Sequence, residues 1–266
     1  MTDSLPLNEA EIRRWLTAGK FGRELEIHDR IDSTNNRAKA LAADGAPHGL
    51  TVIAEAQTGG KGRLGRSFFS PEGTGIYMTV ILRPDCAPEK ANLLTSMAAV
   101  AAARAVEKVS GADVKIKWVN DLYLNDKKIC GILTEAGLGQ EAGRLAYAVV
   151  GIGINAGKME FPPELRDVAT SVANETGISP DRNRLIAEVL NELEILFGDL
   201  ETGAFLAESR RRSNILGRTV TVIRGEERYP ARAVDIDGQG RLIVETERGR
   251  TCLDSGEVSI RVGKKD

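Results

Sequence analysis

The spacing of apolar positions changes several times along the chain, and each spacing points to an element. Asn8 to Thr17 places Ile12, Trp15 and Leu16 on one helical face. Leu25 to Ile31 alternates like a half-buried strand. Ser33 or Thr34 can then cap a helix running through Ala43 and closed by Gly45 and Pro47. Leu50 to Ala56 and Gly75 to Leu82 are strand-like, the second rich in β-branched and aromatic residues. Glu89 to Val109 predicts an alanine-rich helix of about six turns at ~3.6 residues per turn. Three short β-like runs follow: Val114 to Trp118, Asp121 to Leu124 and Lys128 to Ala136, with Asn125 to Lys128 as a hairpin turn between the last two. Ala146 to Ile154 is apolar enough for a sheet centre. Helices resume from Arg182 to Leu200 and from Ala204 to Arg212.

After Gly217 the texture changes. Arg218 to Val262 is broken by Gly225, Gly238, Gly240, Gly249 and Gly256 and shows no helical period. About five short strands at such spacing predict a small β-barrel as a second domain.

Composition narrows the classes. The 266 residues can bury a substantial core. Lysine and arginine (36) nearly balance aspartate and glutamate (38), so no global charge draws the chain to nucleic acid or membrane, and a local basic cluster carries meaning. Three scattered cysteines, Cys86, Cys130 and Cys252, fit a reducing compartment. With no signal-type N-terminus and no stretch long enough to span a bilayer, a cytoplasmic protein is expected.

The basic cluster is "GGKGRLGRS", where Lys61, Arg63 and Arg66 stand among Gly59, Gly60, Gly62 and Gly65. It matches two phosphate-binding patterns literally. Gly60, Gly62 and Gly65 spell G-x-G-x-x-G, with Asp85 about 20 residues on, where a ribose-binding acid belongs. Gly60, Gly65, Arg66 and Ser67 spell a P-loop with arginine for lysine. Both patterns need a helix straight after the loop, because its N-terminus holds the phosphate. Here Pro71, Gly73 and Gly75 exclude a long helix and a strand follows, so both matches are coincidental. Two readings stay open: a hairpin loop with solvated charges, or a cationic loop whose glycines let backbone N–H groups and side chains close over one anion.

Other groups offer polar chemistry. Lys117, Trp118, Asn120, Asp121 and Lys128 fall within two strands and a turn, either as an ordinary exposed hairpin or as a ligand site. In the second case Lys128 reaches an anion and Asp121 helps hold Mg²⁺. Val149 to Asn155, "VVGIGIN", reads as a buried strand whose glycines mark a close approach. Asp32 to Asn35, "DSTN", is a helix cap or a polar cradle. His28 and His48 have no Gly-x-Ser-x-Gly partner, and no His/Cys cluster has zinc spacing.

Taken together these pieces resemble the biotin protein ligases. The family's Gly-Arg-Gly-Arg-x-Gly-Arg loop after a glutamine stands here as Gln57 to Arg66. Its Lys-Trp-Pro-Asn-Asp motif stands as Lys117 to Asp121, its Ser-Thr-Asn element as Ser33 to Asn35, and its Gly-x-Gly-x-Asn strand as Gly151 to Asn155. The order holds from Glu24 to Asn155. Lys61 departs from the usual arginine, and Val119 from the motif proline.

The resemblance implies an α+β fold: a mixed-sheet catalytic domain of class II aminoacyl-tRNA synthetase-like type, flanked by helices, with an SH3-like C-terminal barrel. It implies an N-terminal helical extension (1–23), the catalytic domain (24–214) and the barrel (215–266). It implies ATP-dependent activation of biotin to biotinyl-5'-AMP, with Mg²⁺, and transfer of the biotinyl group to a lysine of a biotin carboxyl carrier domain. Biotin contacts are implied for Ser33, Thr34, Asn35, Gln57, Lys61, Gly62, Arg63 and Lys128. Nucleotide contacts are implied for Arg63, Arg66, Asn120, Asp121 and Asn155, the metal for Asp121, and catalytic roles for Arg63 and Lys128. The loop is expected to be mobile when empty and ordered over the ligand. Only 23 residues precede Glu24, so the winged-helix domain of some members, and DNA binding with it, is not expected. Members are often homodimers, and a homodimer is compatible with the resemblance. Lipoate or octanoate ligation, or a non-catalytic module binding nucleotide or nucleic acid, are the alternative readings.

Overall fold

A computed structural model describes residues 5–139, 143–254 and 259–262. The first four residues of the expected extension, and residues 255–258 and 263–266 of the expected barrel, lie outside the described residues.

The first half builds one seven-stranded sheet from β1 (Leu25–Ile31), β2 (Thr51–Gln57), β3 (Gly75–Leu82), β4 (Lys115–Lys117), β5 (Asp121–Leu124), β6 (Lys127–Leu138) and β7 (Leu145–Asn155). Its order is β1-β2-β3-β7-β6-β5-β4. Only β1 and β2 run parallel; the other neighbours are antiparallel. The apolar run expected at the sheet centre is β7, the fourth strand of seven. Asn125 and Asp126 both take positive φ, so the β5–β6 hairpin turns through two residues suited to left-handed backbone.

Two helices cover the sheet's faces. Helix α3 (Ala91–Ser110) is buried along nearly all its length because alanine at seven of its positions lets other backbones approach closely; it stops at Gly111, with φ 70°. Behind it pack α5 (Arg182–Phe197) and α6 (Phe205–Arg212). On the opposite face lies α2 (Thr34–Ala43), which packs against β2, β3 and β7. The helix expected to run to Leu200 ends at Phe197. The one-turn helix α4 (Val172–Thr176), capped by the Ser171 hydroxyl, was not expected: five residues give too short a period to recognise.

The N-terminal segment is tied down by buried polar contacts. Helix α1 (Glu9–Trp15) is capped by Asn8 and packs on α5. Arg182, whose side chain is 2% exposed, pairs with Glu55 of β2 at 2.6 Å and donates to the carbonyls of Gly75 and Leu5. Glu55 in turn accepts the Leu7 amide at 2.6 Å.

The C-terminal strands β8 (Thr219–Arg224), β9 (Glu227–Ile236), β10 (Leu242–Thr246), β11 (Gly249–Leu253) and β12 (Ser259–Val262) form an antiparallel sheet in the order β11-β10-β9-β8-β12. Among the described residues no ladder joins β11 to β12, so the expected barrel is described as an open five-stranded sheet. Its β9–β10 turn docks on the first domain, where the buried Trp118 indole donates to the Gly240 carbonyl at 2.9 Å; just after β11, Asp254 accepts from Asn92 of α3. No helix among the described residues is long and apolar enough to cross a membrane.

Candidate active site

Strand register explains why a cleft exists between α2 and the sheet. Gly131 pairs with Gly153, Leu133 with Gly151, and Gly151 with Thr79 on the other side. Three glycines therefore meet on the face that α2 covers, where side chains would otherwise fill the space. A Cβ on Gly151 would strike the Asn35 amide oxygen, and one on Gly153 would lie 2.6 Å from the Phe68 ring. The resulting cleft, about 310 Å³ with its open mouth, is lined by Ser33, Thr34, Asn35 and Gln57 on its polar side, and by Phe68 and Tyr77 on its apolar side.

Hydrogen bonding orients the polar side. Ser33 holds the cap position of α2, but its hydroxyl makes no cap bond. Gln57 caps the helix instead: its Oε1 accepts the Thr34 amide at 2.9 Å and lies 3.1 Å from the Thr34 hydroxyl, while its Nε2 donates to Ser70 at 3.0 Å. Asn35 donates to Glu135 at 2.9 Å and to the Leu133 carbonyl at 3.3 Å.

A second cavity, about 700 Å³ counting the open space at its mouth, adjoins the first and shares Lys61, Phe68, Gly131 and Leu133 with it. Its lining is cationic, with Lys61, Arg63, Arg66, Lys117 and Lys128, and Asn120 and Asp121 lie among them. The glycine loop forms one wall. It closes on itself through a Lys61–Ser67 bridge, a Gly62 amide to Arg66 carbonyl bond of 2.7 Å and a 3-10 turn at Arg63–Gly65. In this structure the loop is folded against the hairpin, with Arg63 donating to Asn120 Oδ1 at 3.0 Å. Burial lowers the Arg63 pKa, opposed by the charge of Asp121 and reinforced by that of Arg66.

Lys128 sits where the cavities meet. Its ammonium is 2.7 Å from Asp121 Oδ1 and 6.0 Å from the Phe68 ring centre. Asp121 Oδ1 is buried without an aligned hydrogen-bond donor. The Trp118–Val119 peptide, at the position of the missing motif proline, is cis.

Of the residues singled out from sequence, Ser33, Thr34, Asn35, Gln57 and Lys61 gather at the smaller cleft. Lys61, Gly62, Arg63, Arg66, Asn120, Asp121 and Lys128 gather at the larger. Asn155 joins neither lining: buried at the end of β7, it donates to the Thr170 carbonyl at 2.9 Å and so secures the segment that bonds the Lys128 backbone. Sequence reasoning missed Phe68, Tyr77, Thr79 and Glu135. A signal existed for Glu135, which falls two and four residues beyond Leu133 and Gly131, hence on their face of β6.

Comparison with known proteins accords with this geometry. The model of the biotin/lipoate A/B protein ligase family matches residues 27–155, and that of the biotin protein ligase C-terminal domain matches residues 215–261. The bifunctional ligase/repressor BirA of Bacillus subtilis is 37% identical over 264 residues, covering 96% of this chain and 79% of the relative. A biotin--[acetyl-CoA-carboxylase] ligase of Mycobacterium tuberculosis is 32% identical over 262 residues, 95% of each chain. Among solved structures, a biotin protein ligase from Aquifex aeolicus in complex with biotin and ATP superposes with a TM-score of 0.77 at 29% identity, over 91% of this chain and 100% of that one. With both domain matches in sequence order and relatives that align over nearly its whole length, this chain belongs to the biotin protein ligase family.

Proposed function

We propose that this chain activates biotin with ATP, forming biotinyl-5'-AMP and pyrophosphate, and then transfers the biotinyl group to a lysine of a biotin carboxyl carrier domain. The observation that carries the reading is the pair of adjoining cavities: a cleft whose polar wall is Ser33, Thr34, Asn35 and Gln57, with Lys61 on the boundary the two share, adjoins a cationic one. The first suits the uncharged ureido and thiophane rings of biotin. The second suits a triphosphate.

The chemistry is an anion attacking a polyanion. Two unit charges ~4 Å apart repel by about 4 kcal/mol at an effective dielectric near 20. Arg63, Arg66, Lys61 and Lys128 offset that repulsion, and no protein nucleophile is required. Lys128, at the junction, is placed to orient the biotin carboxylate toward the α-phosphate. Arg63 and Arg66 hold phosphate oxygens, with Asn120 fixing Arg63. Cys130 takes no part: it lies fully buried on the sheet face away from the cleft, and burial pushes its thiol pKa far up. In the second half-reaction the acceptor lysine attacks the mixed anhydride and AMP leaves.

Mg²⁺ fits one place in this arrangement. The described residues contain no cluster of three or more metal-binding side chains, which suits an ion held by one carboxylate, water and substrate phosphates. Asp121 would supply that carboxylate, with the Lys128 ammonium, 2.7 Å from its Oδ1, beside the ion. When bound, the ion would neutralise phosphate charge.

Biotin-dependent exchange between pyrophosphate and ATP tests the proposal, with lipoate run in parallel. Exchange with biotin is expected. Exchange with lipoate alone would move the chain to lipoyl activation, and silence with both acids would leave a nucleotide-binding module.

The loop over residues 59–67 covers the junction and would shield the adenylate from water. Trypsin should cut at Lys61 and Arg66 more slowly under saturating biotin and MgATP than without them. Equal rates would remove the gating role.

A further inference from the structure

The buried Asn35 amide, the half-buried Gln57 amide and two buried hydroxyls form a continuous array along the smaller cleft, and its proton count is uneven. Gln57 is fixed in orientation: its Nε2 donates to Ser70, whose own hydroxyl is committed to the Phe68 carbonyl at 2.9 Å, so Gln57 presents Oε1 to Thr34. Asn35 is fixed likewise: Nδ2 faces two acceptors, Glu135 and the Leu133 carbonyl, so Oδ1 faces Thr79. Between these amide oxygens lie three close oxygen–oxygen contacts: Thr34 to Gln57 at 3.1 Å, Thr79 to Thr34 at 2.8 Å and Thr79 to Asn35 at 2.7 Å. The two threonine hydroxyls supply only one proton each. One contact therefore has no hydrogen, and lone pairs are in surplus where Thr34 and Asn35 line the cleft.

We infer that Glu135 is a positioning residue that keeps this array short of protons, and thereby selects a ligand head group that donates N–H bonds. The inference rests on biotin occupying the smaller cleft. If Asn35 turned over, its Nδ2 would lie 2.7 Å from the Thr79 oxygen and supply the missing proton. The array would then satisfy itself and gain less from a ligand's N–H groups.

Glu135 prevents the turn, because reversal would set the amide oxygen against a carboxylate. Lys39 holds that carboxylate by its other oxygen, with Nζ to Oε1 at 2.5 Å. Burial raises the Glu135 pKa, but the bonds from Lys39 and Asn35, with the charges of Lys39 and Lys61, outweigh it, so the group stays ionised below the usual carboxylate range. A ureido ring brings two N–H donors to such a site; a dithiolane ring brings none. A site built to receive hydrogen bonds rejects a ligand that lacks them.

The test uses the polarity of glutamine. In Glu135→Gln, Lys39 can only donate, so the new side chain turns its carbonyl to Lys39 and its NH₂ to Asn35, forcing the reversal. In pyrophosphate exchange, the KM for biotin should rise at least about tenfold while the KM for ATP stays within about twofold. Adding Lys39→Met frees the introduced amide to turn its carbonyl back to Asn35, and the biotin KM should return to within about threefold of wild type. A residue that merely holds the fold would not be rescued by losing a second charge. Unchanged biotin KM in the single variant, or no recovery in the double, overturns the inference.

An arm with the wild-type protein needs no variant to fold. Of two biotins methylated on one or the other ureido nitrogen, at least one should show a KM raised about tenfold or more over biotin, and a KM close to that of biotin for both would also overturn it. If wild type shows no biotin-dependent exchange at all, the functional reading fails and this inference falls with it. Active wild type with an indifferent Glu135→Gln removes the inference alone.

Discussion

Replacing Arg63 with alanine should lower biotin-dependent pyrophosphate exchange by about 10²–10³-fold, the usual cost of one preorganised transition-state donor, while changing the melting temperature little. Arg63 is half-buried on the loop wall of the cationic cavity. Burial alone disfavours its charge, and the charges of Asp121 and Asp254 oppose that effect. Its hydrogen bond to Asn120 sets the direction of the guanidinium before any substrate arrives. Arg63→Lys keeps the charge but loses the planar fork, and should fall between wild type and alanine. The measurements are steady-state exchange and thermal unfolding of the same three preparations. Full exchange activity in the alanine variant would remove Arg63 from the chemistry.

The largest expected effect on stability lies elsewhere. Arg182→Met should cost about 3–5 kcal/mol, read as a lower urea midpoint at unchanged slope, because it strands a largely buried carboxylate. Glu55 is paired with Arg182 at 2.6 Å, and the two side chains are only 12% and 2% exposed. The same guanidinium holds the Gly75 and Leu5 carbonyls, so three chain segments loosen together. Combining Arg182→Met with Glu55→Leu should recover much of the loss, since two apolar groups leave no uncompensated charge. Equal stability of Arg182→Met and wild type would show that the pair adds nothing to the fold.

Much of the molecule is legible from residue order alone. The loop from Gly59 to Ser67 and the hairpin from Lys117 to Lys128 are recognisable as chemistry because glycine and cationic residues recur there at spacings no core requires. That a strand follows the loop is also readable, from Pro71, Gly73 and Gly75, and it separates this loop from two phosphate-binding patterns it matches by letter. Asn155 shows the limit of such reading. It stands in the motif with Gly151 and Gly153, yet β7 directs it to the Thr170 carbonyl rather than into either cavity. Thr79 shows the converse: in sequence it is an ordinary strand residue, with nothing to set it apart.

Residue order specifies nearly all the elements, their succession and the two places where cations concentrate, because helical and strand periods and turn residues act over a few neighbours. It takes the folded chain to bring Gly131, Gly151 and Gly153 onto one face, to lay Thr34 and Asn35 of α2 across it, and to bring Glu135 to Asn35 over a separation of 100 residues. Register between strands and the packing of a helix on a sheet are set by the whole core at once. Which hydroxyl donates, which amide oxygen is exposed and which glycine opens a cleft follow from that packing, and none of them is encoded in any one segment.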